Sequence, residues 1–378
     1  MRAVVTGQVG VGKKPYLEKV AAAALDYGQR VTVCNIGAMM YREAPDVAPG
    51  RILDLPISRL NSLRRSVFKD VLATCERVGD DPNHHVLVNT HTTFRWRHGL
   101  FYAFDLDQIQ ALEASLYVSL LDNIDRVYYR ITRDGRADPT LKDLMVWREE
   151  ETLATELLSQ IAKGHGHFYV MARGEDDATA DAMARLMCHP EATTAYLSYP
   201  MSHVHRTPEL IGTIQGFRRE MTRLLTCFDP GDMEEKHICS RALQAAEAGR
   251  HAVQVGPADA QVTLETGRVI EVIPDIDGQI YSRDFKLIDQ ADAIVALIPE
   301  MEAGHPALSS GVERELQHAH EAAKDVYVIW LPEAEPSVFI TETASRVFRS
   351  LQDAIEYFEG AVPAPPSAQE SLFGTPGN

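Results

Sequence analysis

The chain reads as α/β, with two parallel-sheet domains in succession, and three observations lead there. Short β-prone apolar runs alternate with helical patterns through most of the chain, the rhythm of strand–helix–strand units. At 378 residues and 45% hydrophobic content, it is long enough for two domains and apolar enough to bury a core in each. Around 188–194, His189-Pro190 ends a helix and a fresh series of strands begins, so the predicted domains are 1–190 and 194–362.

In the first domain the strands are 2–6, 31–36, 86–89, 116–120 and 168–171, with helices at 13–27, 58–77 and 141–163. The last helix carries Leu141, Leu144, Leu153, Leu157 and Ile161 near a 3.6 period, which predicts one face packed on the sheet. The second domain starts with a strand at 195–198, a helix at 208–225 and a strand at 226–228 that ends at Asp229-Pro230. Apolar runs at 293–298 and 326–331 are its next strands, and they bracket a helix at 310–323. Residues 231–282 read as an insertion in this domain: a helix near 234–248, then short strands with Asp277-Gly278 as a hairpin signal. From the Pro-rich run at 362–367 onward the composition changes, and 363–378 is expected to be a disordered tail.

Charge and cysteine content narrow the function classes. The 37 Lys+Arg against 54 Asp+Glu leave a net charge of −17, which argues against a sequence-independent nucleic-acid coat. A local basic pocket for a small anion stays compatible with it. No apolar run approaches the ~20 residues that cross a bilayer, and the N-terminus lacks a signal-peptide pattern. Cys34, Cys75, Cys188, Cys227 and Cys239 are scattered with no C-x-x-C pair, as reduced thiols are. The expectation is a cytoplasmic protein with no metal site and no membrane partner.

Gly7-Gln8-Val9-Gly10-Val11-Gly12-Lys13 fits G-x-x-x-x-G-K, directly after a strand and before a helix. Glycines there let backbone N–H groups wrap a phosphate, the helix N-terminus adds its dipole, and the lysine adds a point charge. Asn89-Thr90-His91 ends a strand, Gly99-Leu100 follows, and Arg126, Arg130, Arg133 and Arg136 lie on or after a helix. Together these resemble the adenylate-kinase-like group of P-loop nucleoside monophosphate kinases over about the first half of the chain. The resemblance implies a P-loop NTPase-type parallel sheet and ATP or another nucleotide at the loop, with Mg²⁺ in the family's usual chemistry. It also implies a lid whose arginines clamp phosphates; the same four arginines equally describe a solvated helix face. Two departures stand out: Lys14 replaces the Ser or Thr that reaches the metal, and Asn89 replaces an acidic residue. Nucleotide binding is thus favoured over efficient phosphoryl transfer, with a working kinase and a nucleotide sensor as the alternatives.

In the second domain three segments deliver carboxylates and a phenol to strand ends, where such groups converge in parallel sheets. Tyr196 lies on the strand 195–198, Asp284 in a helix leading to the strand 293–298, and Glu315 in the helix after it, preceded by Ser309-Ser310-Gly311. These segments resemble the nucleoside 2-deoxyribosyltransferase family, with its branch of nucleoside 5′-monophosphate N-glycosidases, over roughly 194–340 apart from the insertion. The resemblance implies a flavodoxin-like sheet and an active site often completed by a neighbouring subunit, hence a homo-oligomer. It makes Glu315 the nucleophile, Tyr196 the residue that orients it and Asp284 the group that handles the base's proton. Ser309, where nucleoside-specific members have Asp, suits a 5′-phosphate together with Ser310, Gly311 and the helix N-terminus. An oxocarbenium-like state at C1′ calls for such a carboxylate, and no cofactor is required. Departures are Tyr199-Pro200 instead of a Gly-rich first loop and Glu313 where a Gly is common.

Two further signals are weaker. His84-His85 and His203-Val204-His205 have no third ligand at metal-binding spacing. Gln369-Glu370-Ser371-Leu372-Phe373 resembles the short peptide that docks bacterial sliding clamps, which makes a clamp a candidate partner beside the small nucleotide.

Overall fold

The computed structural model describes residues 1–96, 99–133, 139–174, 177–201, 209–258, 260–301 and 304–361. Its strands are β1 (Arg2–Thr6), β2 (Arg30–Asn35), β3 (His84–Asn89), β4 (Thr93–Trp96), β5 (Gly99–Tyr102), β6 (Leu116–Leu121) and β7 (Phe168–Ala172). They continue with β8 (Thr194–Ser198), β9 (Thr226–Phe228), β10 (Ala252–Val255), β11 (Val262–Glu265), β12 (Ala293–Ile298), β13 (Asp325–Trp330) and β14 (Arg346–Phe348). Contacts divide the chain into two units: Met1–Glu191 with Phe228–Asp292, and Ala192–Cys227 with the residues from Ala293 onward. The first break between the units falls after Glu191. Residues 228–292, however, pack with the first unit, whereas the sequence assigns 231–282 to the second domain.

The first unit is built on a five-stranded sheet of order β2-β3-β1-β6-β7 with every pair parallel. Ala3, Val4 and Val5 are fully buried, as a central strand covered by helices on both faces requires. Val4 sits opposite Val88 on one side and Tyr117 on the other, and Val67, Phe68 and Val71 of the helix Ile57–Val78 complete that core. The helix Leu141–Ala162 begins with a capping box between Thr140 and Asp143. It buries Leu141, Leu144, Met145, Arg148, Glu151, Thr152, Thr155 and Leu158, while Leu153, Leu157 and Ile161 are exposed. This corrects the single apolar face read from the sequence. Leu144 and Leu153 are nine positions apart, and at about 100° each that puts them on opposite sides of the helix.

Residues 228–292 earn their place in this unit by a shared core. Ile238, Ala242, Val253, Val255, Val269 and Ile276 pack with Ile124, Val127, Ile131, Leu141, Leu144 and Met145. Beside that core Arg148 donates to both oxygens of Glu235 at 2.8 and 3.2 Å, with both side chains buried. The antiparallel hairpin β10–β11 lies in this segment, with Val253 opposite Leu264. Asp277-Gly278 is not its turn; both residues lie inside the helix Ile273–Gln290, which starts with Pro274 in its first turn. Packing overrides the local turn signal: Asp277 pairs with Lys236, and Gln279 accepts from Arg148 Nε and donates to the Met145 carbonyl.

The second unit has the sheet order β14-β13-β12-β8-β9. Numbered along that unit, this is 2-1-3-4-5, the flavodoxin-like order, whose topological switch point lies between its first and third strands, here β8 and β12. The pairs β8–β12, β12–β13 and β13–β14 are parallel, with Tyr196 opposite Ile294 and Ser198 opposite Ala296. β8 and β12 are buried throughout. Among the described residues no helix is long and apolar enough to cross a membrane, and all five cysteines are buried and none forms a disulfide. The tail at 363–378, with Gln369–Phe373, and His203 and His205 lie outside the described residues.

Candidate functional site

In the first unit the loop from β1 into the helix Lys13–Asp26 wraps tightly enough to need its glycines. Gly7 has φ 136° and a methyl group added there would meet the Leu120 carbonyl oxygen at 2.5 Å; at Gly10, φ 89°, it would meet Ile131 at 2.7 Å. Lys13 is buried at the helix start, where its Nζ donates to the Gly7 carbonyl at 2.5 Å and lies 3.3 Å from both ring nitrogens of His91. Burial draws the Lys13 pKa down to about 8, against the pull of Glu151. Burial, then Lys13, lowers that of His91 as well, which favours the neutral ring.

Beneath the loop lies Glu151, fully buried. Its carboxylate accepts from the backbone N–H groups of Gly7, Thr92 and Thr93 and from the Thr93 hydroxyl, at 2.5–3.3 Å. Burial pushes its pKa up, but the His91 contact, the Lys13 charge and Thr93 outweigh it and hold it at about 2. Glu151 therefore braces the first glycine of the loop against the segment after β3.

Two arginines flank the loop. Arg130 Nη1 donates to the carbonyls of Gly10 and Val11 at 3.0 and 3.1 Å and pairs with Asp122 at 2.6 Å. Arg173, just past β7, approaches the same Asp122 at 3.4 Å. Burial pushes the Asp122 pKa up while Arg130 and Arg173 pull it down. Of the remaining candidates, Arg133 lies over the Tyr129 ring at 5.6 Å and Arg136 is outside the described residues. Lys14 is on the exposed side of its helix, 4.0 Å from Glu18. Arg173 and Glu151 escaped the sequence reading. Arg173 follows a strand end as phosphate-site residues do, but Glu151 sits in an acidic run that reads as solvated surface.

In the second unit the carboxylate site assembles beside the switch point. Tyr196 Oη donates to Glu315 Oε1 at 3.0 Å, and Ser198 Oγ donates to Oε2 at 2.5 Å. Tyr196 and Ser198 are two apart on β8 and so share a face, a periodicity that would have pointed to Ser198 once Tyr196 was chosen. Both are fully buried, while Glu315 is partly exposed. Ser309 caps the helix Ser310–Glu321, its Oγ accepting from the Val312 N–H at 3.3 Å. Ser310 and Gly311 are exposed in the first turn, as is Glu313. The structure thus groups Tyr196, Ser198, Ser309 and Glu315 in one unit. Asp284 belongs to the other, in the helix Ile273–Gln290, where Arg283 donates to its Oδ1 from Nε and Nη2 at 3.1 and 2.9 Å. Burial raises the Asp284 pKa, with Arg283 opposing.

The pair His84-His85 serves the fold. His84 Nε2 shares a hydrogen bond of 2.8 Å with Thr32 Oγ1, and His85 contacts the N-terminal amine at 2.9 Å, burial lowering its pKa to about 4. Among the described residues no group of three or more His, Cys, Asp or Glu is arranged to hold a metal ion.

No family model and no curated protein matches the chain. Among solved structures, it is similar to a 2-deoxyribosyltransferase from Bacillus psychrosaccharolyticus, at 16% identity, with a TM-score of 0.28. That match covers 45% of this chain and 96% of the other. It is also similar to shikimate kinase from Bacteroides thetaiotaomicron, at 13% identity and a TM-score of 0.32, over 49% of this chain and 94% of the other.

Proposed function

We propose that the second unit cleaves the base–sugar bond of a nucleoside 5′-monophosphate or a related nucleotide, by hydrolysis or by transfer to a second base. The observation that carries this is the Glu315 carboxylate, held by one hydroxyl on each oxygen at the carboxyl end of β8. Glu315 attacks C1′ as the C1′–N bond breaks, giving a glycosyl ester that water or another base resolves. Tyr196 and Ser198 keep its oxygens in line. The departing base takes a proton, a role for which the resemblance names Asp284. Ser309 and the helix N-terminus suit the 5′-phosphate.

The first unit is read as a nucleotide-binding domain, because the loop geometry is retained while the positions that steady a metal are not. Incubation of the full chain with ATP and a panel of nucleoside monophosphates separates the readings. Free base marks the glycosidase, phosphate redistribution the kinase, and binding without turnover the sensor. Base release that persists unchanged in Glu315→Ala would remove the glycosidase assignment.

A further inference from the structure

The phosphate loop offers cations but no seat for a divalent metal. In P-loop enzymes Mg²⁺ is held by the hydroxyl after the loop lysine and by a carboxylate at a strand end. Here the first position is Lys14, exposed and beside Glu18. The second is Asn89, a neutral amide whose Nδ2 donates to Asn35 Oδ1 at 2.6 Å. Among the described residues, Glu151 and Asp122 near the loop are already committed. Glu151 is buried among three backbone N–H groups and a hydroxyl, and Asp122 faces Arg130 and Arg173. A dication arriving at Asp122 would meet two guanidinium groups.

Those guanidinium groups crowd the loop itself. Arg130 bonds the carbonyls of Gly10 and Val11, and a methyl group added at Gly12 would lie 3.3 Å from Arg173 Nε and 3.7 Å from Arg130 Nη1. Arg173 Nε is buried and has no hydrogen-bond partner, and a donor left so is costly unless an acceptor arrives. Lys13, Arg130 and Arg173 set against Asp122 and Glu151 leave one positive charge in surplus before any ligand binds.

We infer that this loop binds the phosphates of a nucleotide without a divalent cation, Arg130 and Arg173 supplying the charge that Mg²⁺ supplies elsewhere. The inference rests on the reading of the loop as a nucleotide site. A guanidinium is permanently charged, and its planar fork matches phosphate oxygens. Asp122 holds both arginines at the loop until an anion competes for them. The ligand class is a nucleoside di- or triphosphate, whose chain of oxygens can meet Lys13, Arg130 and Arg173 together.

The test is calorimetric titration of the full chain with ATP, once in excess EDTA and once in excess MgCl₂. Dissociation constants agreeing within about threefold are expected. Arg173→Gln, and separately Arg130→Gln, should weaken ATP binding in EDTA by about tenfold to a hundredfold, the worth of a charged hydrogen bond. Affinity at least tenfold weaker in EDTA for the wild-type chain would overturn the inference and leave the loop a metal-dependent nucleotide site. So would wild-type affinity in both arginine variants. No binding of ATP, ADP or pyrophosphate in either buffer would remove the nucleotide reading itself, and the inference with it. The wild-type pair of titrations decides the question even if a variant fails to fold.

Discussion

The two units each keep a carboxylate near the carboxyl ends of parallel strands, and they hold it in opposite ways. Glu151 is sealed under the phosphate loop by backbone N–H groups from three residues. Glu315 is partly exposed and held by side-chain hydroxyls from a single strand. Backbone donors cannot turn away, so the first arrangement stores its charge as architecture. Hydroxyls rotate and exchange partners, so the second leaves its charge available for chemistry. The difference separates a bracing acid from the one proposed to react, although both are glutamates on helices.

The largest effect should come from Glu315→Ala, which is expected to lower base release by at least about a thousandfold, as loss of a covalent nucleophile does. The matching first-unit change, Lys13→Ala, should remove ATP binding in a titration while base release from monophosphates continues. A loss of base release comparable to that of Glu315→Ala would show that the two sites are not separable. Next, Ser198→Ala should cut kcat by roughly tenfold to a hundredfold with little change in KM, since one charged hydrogen bond is lost. An unchanged kcat in Ser198→Ala would reduce Ser198 to packing.

Glu151→Gln should destabilise the fold by roughly 2–4 kcal/mol at pH 7. The sign follows from its pKa, held at about 2 in the fold against an ordinary 4.5. Its contribution is complete above about pH 4.5 and is lost as pH falls toward 2. Urea melts of wild-type and variant protein should therefore converge below pH 4.5. A constant gap down to pH 3 would mean that Glu151 acts by shape and not by charge. The smallest effect is expected from Leu157→Gln on the exposed side of the same helix, below about 0.5 kcal/mol.

Much of this was legible in the sequence because the signals were local. A strand, a glycine loop and a lysine in line announce the phosphate loop, and Tyr196 and Glu315 stand where strand-end groups converge. The illegible parts depended on partners distant in the chain. Asp277-Gly278 is a turn signal that Lys236 and Arg148 overrule from about 40 and 130 residues away. Leu153, Leu157 and Ile161 make an apolar stripe, yet the sheet selected the opposite face, whose Thr152 and Thr155 bond Ser119 and Thr6. Arg173 becomes a loop residue only when β7 comes to lie beside β6. Residue spacing reports the periodicity of a face, but not which face the rest of the fold will cover.

The return of residues 228–292 to the first unit bears on how the chain is made. Ile124, Val127, Leu144 and Met145 emerge from the ribosome long before Val253, Val255 and Val269, against which they pack. About a hundred residues separate the two groups, which at ordinary elongation rates is roughly five to twenty seconds of exposed nascent surface. Through that interval the arginine-bearing helix beside the phosphate loop lacks its outer support, and the strands β8 and β9 are already being delivered. The first unit therefore cannot close this core until Val269 and Ile276 have emerged, after β8 and β9 of the second unit have been made.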